Sequence, residues 1–303
     1  MPVYRVEDGS LLRLRGKVVV LTGGANGIGR ALIEQLMSLG AHVVFGDVND
    51  QAADLLVQEM KDISSAEIAF RRVDVTNYAD NVSLFEAAVS LHGHIDHAIS
   101  VAGIGEQENI FSPDLDLDAV KQPPRTAVLD VNLLSALYFC RLAAAYLCHN
   151  NDSSTLERSI TLFSSISGFN DSPGMGTYAA AKHGVMGLMR AGRSSLPVTH
   201  GIRINAVAPW FTATEMTKPI RDKWLAGSLP VNQPEDVAHL VAGLIASPSA
   251  NGKAVFVGGG QGWDIEADLT SLRSRWLGVE HDLAIRATRA HMGTGTSWTK
   301  EQK

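Results

Sequence analysis

The feature that most constrains the fold is a regular alternation of short β-branched runs with helix-length amphipathic segments. It begins at KVVVLTGG (17–24) and continues to GKAVFVGGG (252–260), through most of the 303 residues. Strands separated by helices of this length can pair only in parallel, through right-handed crossovers. The sequence therefore predicts an α/β fold built on a doubly wound, seven-stranded parallel sheet.

A glycine-rich turn, TGGANGIG (22–29), follows the first predicted strand directly and opens the first predicted helix. Glycines let the backbone approach a pyrophosphate closely, and the free N–H groups at the helix start favour negative charge. The alternative is a tight turn without a ligand. At this strand-to-helix junction we favour a Rossmann-type dinucleotide site, with contacts from Gly23, Asn26, Gly27, Ile28 and Gly29.

The second predicted strand ends in FGDVN, where Asp47 and Val48 stand near the spacing of about 20 residues at which a carboxylate holds the adenosine ribose. A carboxylate there accepts hydrogen bonds from both ribose hydroxyls and repels a 2′-phosphate. No arginine or lysine stands in the glycine turn, where Asn26 is found. We therefore expect NAD(H) rather than NADP(H), although Asp47 could instead cap the next helix.

Composition excludes several classes of partner. The formal net charge is -6, so the chain offers no basic excess for nucleic acid or an anionic membrane. We find no apolar run that approaches the roughly 20 residues of a membrane span, and MPVYRVEDGS lacks the pattern of a secretory signal. We expect a cytoplasmic protein.

The nearest approach to a metal site is a group of three histidines, His92, His94 and His97. They span a turn into an apolar strand, and we predict no metal.

The stretch TYAAAKHGV (177–185) places Tyr178 one helical turn before Lys182. A phenol with a pKa of about 10 becomes a useful base near neutrality only if nearby positive charge stabilises the phenolate. Lys182 could supply that charge. Taken alone, such a pair is more often a coincidence on a helix surface.

With the glycine turn upstream, SSISG (164–168) before the tyrosine and NAVAPWFTAT (205–214) after it, the sequence resembles the short-chain dehydrogenase/reductase family over about residues 15–260. The resemblance implies that Tyr178 is the general acid/base and that Lys182 lowers its pKa and holds the nicotinamide ribose. It also implies that Ser165 binds the substrate oxygen and that Asn132, in LDVNLLS, completes a proton relay through water.

The resemblance implies further cofactor contacts, at Asp74, Val75, Ala102, Gly103, Pro209, Thr212 and Thr214. Two departures from the family pattern stand out. SVAG (100–103) replaces Asn-Asn-Ala-Gly, which puts some strand-anchoring hydrogen bonds in doubt. Trp210 replaces the glycine that follows Pro209, which restricts the turn and implies a large ring near the nicotinamide and the substrate.

The resemblance implies a dinucleotide-binding catalytic domain over residues 1–262 and an extension over 263–303 that packs on the domain or on a neighbouring subunit.

The predicted helix at 127–148 is apolar on more than one face, which predicts a homodimer or homotetramer. The segment 212–224 has the character of a mobile lid. All five tryptophans follow Pro209, which favours an apolar, ring-bearing substrate.

A narrower resemblance, in VAPWFTATEMT and in VGGGQGWDIE with RWLG, is to fungal enzymes related to 15-hydroxyprostaglandin dehydrogenase. Several of these act on alcohols and ketones of secondary metabolism. The resemblance implies an NAD(P)-dependent alcohol dehydrogenase or ketoreductase for a secondary alcohol and a ketone. Two alternatives remain open: a non-redox cyclase or isomerase on the same fold, and a catalytically silent dinucleotide-binding sensor.

Overall fold

A central nine-stranded sheet organises the chain in the computed structural model, which describes residues 3–7, 9–148 and 157–293. The strands are β1 (Val3–Tyr4), β2 (Val18–Thr22), β3 (His42–Asp47), β4 (Ile68–Arg72), β5 (His97–Ser100), β6 (Arg158–Phe163), β7 (Ile202–Pro209), β8 (Ala254–Gly258) and β9 (Gln261–Asp264). Their order in the sheet is β1-β9-β8-β7-β6-β5-β2-β3-β4. The predicted seven-stranded parallel sheet is confirmed as β2 to β8, in a single α/β domain.

Helices cover both faces of the sheet. They are α1 (Gly27–Ser38), α2 (Asp50–Ile63), α3 (Tyr78–His92), α4 (Ala127–Leu129), α5 (Ser135–Cys148), α6 (Gly176–His200), α7 (Arg221–Ala226), α8 (Pro234–Ala246), α9 (Ile265–Ser271), α10 (Arg273–Leu277) and α11 (Val279–Met292). Val19 and Leu21 of β2 pack in one core with α1 and α8, whereas Val20 packs in the other with α3, α5 and α6. This is the two-residue alternation of a strand buried on both faces.

Two antiparallel strands extend the sheet beyond the seven that the sequence predicts. Gly259 and Gly260 have φ values of 57° and 77°, which lets the chain reverse between β8 and β9 in a two-residue hairpin. At the outer edge, β1 pairs with β9 through Val3 and Trp263. The sequence does not predict these two strands, because β9 begins directly after a run of glycines and the two-residue β1 carries no periodic signal.

The predicted helix at 127–148 consists of α4, a π-helical turn (Asp130–Leu134) and α5. By length and composition it could cross a membrane, contrary to the sequence-based expectation, and 39% of its most apolar window is buried. Phe139 and Leu142 pack in the second core. One side of the helix thus belongs to the core of the α/β fold.

The C-terminal extension is joined to α6. β9 crosses the boundary expected at residue 262, and Glu266 follows it at the start of α9. The Glu266 carboxylate accepts hydrogen bonds from Arg190 and Arg193, each with a shortest N–O distance of 2.6 Å. Since Glu266 is only 5% exposed, these paired charges fix the extension to the helix that carries Tyr178.

Candidate active site

The glycine turn lies where the strand order reverses, between β2 and β5. Ligands of doubly wound sheets bind in the crevice at this point. Gly23 has a φ of 76°, and a Cβ there would lie 2.6 Å from the Cα of Ala102. A Cβ on Gly29 would lie 1.9 Å from the carbonyl oxygen of Gly23. Both positions therefore require glycine, and the turn lies against the end of β5.

The start of α1 completes the turn. Asn26 is the N-cap residue, and its side chain makes no capping hydrogen bond. Ile28 packs against the core. Gly27 has a φ of 54°, and a Cβ there would lie 3.1 Å from Cγ2 of Thr214. The backbone N–H groups of a first helical turn lack intrahelical partners, so this turn fits a phosphate, with Thr214 beside it.

Asp47 ends β3 beside the turn. Its Oδ2 accepts the Ala25 N–H at 2.9 Å, and its Oδ1 accepts the Asn49 N–H at 3.0 Å. A carboxylate has about four acceptor positions, so two remain for the hydroxyls of a ribose. The neighbouring Val48 side chain is 54% exposed. Asp47 therefore fits the ribose role and also holds the glycine turn in place.

The pair expected at the adenine lies after β4, two strands from β2. Asp74 accepts hydrogen bonds from the N–H and the hydroxyl of Thr76, which lower the pKa of its carboxyl group. Val75 is buried in the second core. One carboxylate oxygen of Asp74 thus holds its own turn, and the contact of Asp74 and Val75 with an adenine stays a prediction.

Tyr178 and Lys182 lie on α6 at the carboxyl end of β6. The Lys182 Nζ is 5.5 Å from the centre of the Tyr178 ring. It donates a hydrogen bond to the carbonyl oxygen of Phe163 at 2.9 Å, and the residue is only 4% exposed. Burial lowers the pKa of Lys182 to about 8. The structure thus brings the predicted pair together beside the crevice.

Burial raises the pKa of Tyr178 above its ordinary value, and the neighbouring Ser165 side chain lowers it by less. The Lys182 ammonium is hydrogen-bonded to the Phe163 carbonyl oxygen. That Lys182 lowers the pKa of Tyr178 in the catalytic site stays a prediction.

Ser165 occupies the position expected of the substrate-binding serine. It is the N-cap of a short 3-10 turn (Ile166–Gly168), and its Oγ accepts the Ser167 N–H at 3.2 Å. The neighbouring Ser164 points elsewhere, donating to the Lys182 carbonyl oxygen at 2.9 Å. Ser165 is the serine whose side chain lowers the pKa of Tyr178, so the two hydroxyl groups are close enough to bind one oxygen atom.

Asn132 lies in the π-helical turn, and its amide is bound by the backbone of Ile104. The Asn132 Oδ1 accepts the Ile104 N–H and its Nδ2 donates to the Ile104 carbonyl, both at 2.8 Å. A Cβ on Gly103 would lie 3.1 Å from Asn132 Oδ1 and 3.6 Å from Lys182 Nζ. Although SVAG lacks the family's asparagines, the Val101 N–H still bonds to Thr22 at 3.2 Å.

Glu106 is a residue of the site that the sequence did not reveal. Its Oε2 accepts the backbone N–H of Tyr178 at 2.9 Å, and its Oε1 accepts the hydroxyl of Thr177. Burial by itself would raise the pKa of Glu106, but these hydrogen bonds hold it below its ordinary value. The contacts span 71 residues or more, so no local pattern could have predicted them.

The segment after β7 is anchored by a second unpredicted residue, Asn232. Its fully buried amide donates to Val257 at 2.9 Å, and its backbone pairs with Thr212 in an isolated bridge. Thr212 also accepts the Thr217 hydroxyl on its carbonyl oxygen at 2.6 Å. Pro209 accepts a long hydrogen bond of 3.5 Å from Ser165. The predicted cofactor residues here thus stand on a fixed backbone.

Trp210 belongs to a cluster of aromatic rings at the base of the predicted lid. Its ring meets Trp224 edge-on at 5.3 Å, and Trp224 stacks on Phe211 at 4.7 Å. Phe256 of β8 lies 6.2 Å from Trp210. The lid itself contains a 3-10 helix (Glu215–Ile220) that leads into α7. The rings therefore hold the lid to the sheet.

Two further tryptophans, Trp263 and Trp276, belong to the described residues. Trp263 lies in β9 and packs on Phe256 at 5.7 Å. Trp276 is 62% exposed, and Trp298 lies outside the described residues.

Within the described ranges, His42, Glu67 and His92 form one group with metal-ligand spacing, away from the crevice. However, the Nδ1 of His42 accepts the Glu67 backbone N–H at 3.0 Å. A neutral imidazole that accepts at one nitrogen carries a proton at the other, so His42 cannot also bind a metal there. His97, suggested by the sequence, is buried and hydrogen-bonds Ser159 at 2.9 Å.

Comparisons with known proteins agree with this arrangement. Residues 17–224 match the family described as short chain dehydrogenase. The chain is 32% identical to the short-chain dehydrogenase/reductase ascJ of Acremonium egyptiacum, over 89% of this chain and 87% of that protein. It is 30% identical to the 5'-hydroxyaverantin dehydrogenase of Dothistroma septosporum, over 74% and 76%.

A plant enzyme and a solved structure extend the comparison. The chain is 32% identical to the mitochondrial borneol dehydrogenase of Lavandula x intermedia, over 82% of this chain and 92% of that protein. A crystal structure of a putative gluconate dehydrogenase from Agrobacterium tumefaciens shares the fold, with a TM-score of 0.69 at 24% identity, over 82% of this chain and 97% of that one.

Proposed function

Because the chain belongs to the short-chain dehydrogenase/reductase family, we propose that it interconverts a secondary alcohol and a ketone on an apolar, ring-bearing small molecule with NAD(H). The observation that carries the proposal is the buried Lys182 ammonium 5.5 Å from the centre of the Tyr178 ring at the crevice of the sheet, with the Ser165 side chain close enough to Tyr178 to lower its pKa. These groups can hold a carbonyl or alcohol oxygen and exchange a proton with it.

The proposed roles follow from the contacts. Ser165 holds the substrate oxygen by a hydrogen bond. In reduction Tyr178 donates its proton to that oxygen, and in oxidation the phenolate removes the proton. A nicotinamide bound in the crevice supplies the hydride acceptor or donor. Asn132 Oδ1 and Lys182 Nζ both lie beside Gly103, and these two groups would hold the path by which the proton reaches solvent.

The choice of NAD(H) is supported by Asp47, whose carboxylate stands beside the glycine turn with acceptor capacity for ribose hydroxyls. A 2′-phosphate at the same place would meet a negative charge. Asn26 offers no compensating cation. We propose that the other residues of the glycine turn and Thr214 contact the dinucleotide in the same crevice, whereas the Val75 side chain is buried in the second core.

An apolar substrate is supported by the rings of Trp210, Trp224 and Phe256 at the base of the lid. Two relatives carry the names of their alcohols, borneol and 5'-hydroxyaverantin. The fungal relatives favour a role in secondary metabolism.

We also propose that the protein self-associates through an exposed apolar helix. Much of the apolar helix Ala127–Cys148 is unburied, including Leu137 at 47% exposure. A second copy packed on this helix and α6 would cover it, which favours a homodimer or homotetramer. We propose that the C-terminal extension from residue 263 packs on its own domain through Glu266, and residues 294–303 lie outside the described residues. A soluble fold of this kind supports a cytoplasmic location.

The test is Tyr178→Phe, assayed with a panel of apolar cyclic secondary alcohols that includes borneol. Loss of a positioned acid/base should lower kcat by about 100- to 10,000-fold while the Kd for NAD stays unchanged. Burial raises the pKa of Tyr178, so oxidation by the unaltered enzyme should accelerate with rising pH as the phenol ionises. Wild-type rates in the phenylalanine variant would overturn the role of Tyr178.

The same assay separates the alternatives. A sensor would bind NAD without changing its absorbance. A cyclase or isomerase would give a product whose mass shows no gain or loss of two hydrogens.

A further inference from the structure

The N-terminus of α6 carries Tyr178 in its first turn, where backbone N–H groups have no partner within the helix. The N-cap residue, Met175, has no side-chain oxygen and makes no capping hydrogen bond. The Tyr178 N–H is nevertheless bound, by the Glu106 carboxylate at 2.9 Å. A residue from a distant loop thus supplies the cap that the helix sequence lacks.

The Glu106 carboxylate is held by several donors at once. Thr177, which is 7% exposed, donates its hydroxyl to Oε1, and the Gln107 N–H reaches the same oxygen at 3.1 Å. An anion at the positive end of a 25-residue helix is also favoured by the helix dipole. Both oxygens are therefore directed at the turn that holds the tyrosine.

The loop that carries Glu106 also contacts Asn132, through a residue two positions before Glu106 in the chain. Ile104 binds the Asn132 amide through both its N–H and its carbonyl. Gly105, between Ile104 and Glu106, lies against Met216 of the predicted lid, to which a Cβ would come within 3.7 Å. Residues 104–106 therefore join Asn132, the tyrosine helix and the lid.

We propose that Glu106 is a positioning residue, which holds the start of α6 so that the Tyr178 phenol stands at a fixed place relative to Ser165 and Asn132. The inference rests on the proposed role of Tyr178. Glu106 does not touch the reacting atoms; it acts through the backbone of Tyr178 and through Thr177. Reactions that depend on aligned groups lose about 100-fold for a displacement near 1 Å.

The experiment measures single-turnover oxidation of the alcohol that the wild type turns over fastest, by NADH absorbance, in Glu106→Leu. We expect the rate constant for NADH formation to fall about 10- to 100-fold, with the Kd for NAD unchanged. Glu106→Gln keeps an acceptor for the Tyr178 N–H and should recover part of the rate. A purely structural defect would lower the amplitude of the NADH signal and leave its rate constant unchanged.

A second pair of variants, at Thr177, tests the same contact if Glu106→Leu does not fold. Thr177→Val removes only the hydroxyl donor to Glu106 and should slow the single turnover, whereas Thr177→Ser should restore it. Glu108→Gln is the matched control, because the Glu108 carboxylate binds the Arg125 N–H in the same loop at 2.9 Å and should leave the rate unchanged.

The outcomes distinguish the two proposals. If Tyr178→Phe is inactive while Glu106→Leu and Thr177→Val keep the wild-type rate constant, the positioning role is wrong and the proposed function stands. If Tyr178→Phe is fully active, the proposed function itself fails.

Discussion

Two sides of the crevice are built from different kinds of contact. On the glycine side, residues 22–29 meet Asp47 and Ala102 through backbone atoms, and a Cβ on Gly29 would come within 1.9 Å of a carbonyl oxygen. On the aromatic side, Trp224 packs on Phe211 and Trp210 at 4.7 and 5.3 Å, and Trp210 lies 6.2 Å from Phe256. Backbone contacts tolerate no added atom, whereas rings can shift and repack. We therefore expect the glycine side to be intolerant of change and the aromatic side to be adaptable.

The largest effect should come from Gly29→Ala. The new methyl group would overlap the Gly23 carbonyl oxygen, so the turn must open and the phosphate-binding N–H groups must move. We expect the affinity for NAD to fall about 100-fold, which corresponds to about 2.7 kcal/mol. Calorimetric titration with NAD measures the change.

Gly187→Ala is the matched control for that variant. Gly187 lies within α6, and a Cβ there meets nothing within 4 Å. Because alanine favours a helix over glycine by about 1 kcal/mol, this variant should be slightly more stable and should bind NAD normally. Equal NAD affinity in Gly29→Ala and Gly187→Ala would show that the glycine turn does not hold the dinucleotide.

Asp47→Asn should have an intermediate effect, on cofactor preference. The wild type should favour NAD, and removing the negative charge should lower the ratio of kcat/KM with NAD to kcat/KM with NADP by about tenfold, or about 1.4 kcal/mol. Both cofactors should also bind less well, since Asp47 holds the Ala25 N–H.

Asp50→Asn is the matched control. It removes a neighbouring negative charge that is not placed at the ribose position. Asp50 is three residues further along and pairs with Arg72 at 2.8 Å, so the ratio should not change. A wild-type enzyme that prefers NADP would contradict the role given to Asp47.

The sequence predicted the parts of the site that depend on neighbours along the chain. The glycine turn and the Tyr178–Lys182 pair are local patterns, and seven parallel strands follow from alternating segments. Glu106 and Asn232 were missed because their partners lie 71 and 25 residues away. The pKa of Tyr178 also depends on burial, which only the packed structure determines.

The smallest effect should come from the aromatic side, in Trp224→Ala. The substitution removes a stacked contact with Phe211 and an edge contact with Trp210, each worth about 1 kcal/mol. Because the neighbouring rings can partly fill the space, we expect KM for an apolar cyclic alcohol to rise about threefold to tenfold with little change in kcat. Trp276→Ala is the control, since this ring is 62% exposed and should leave KM unchanged. Steady-state assays at saturating NAD measure both variants. A loss in Trp224→Ala as large as that in Gly29→Ala would mean that the rings hold the crevice as rigidly as the backbone does, and the contrast between the two sides would be wrong.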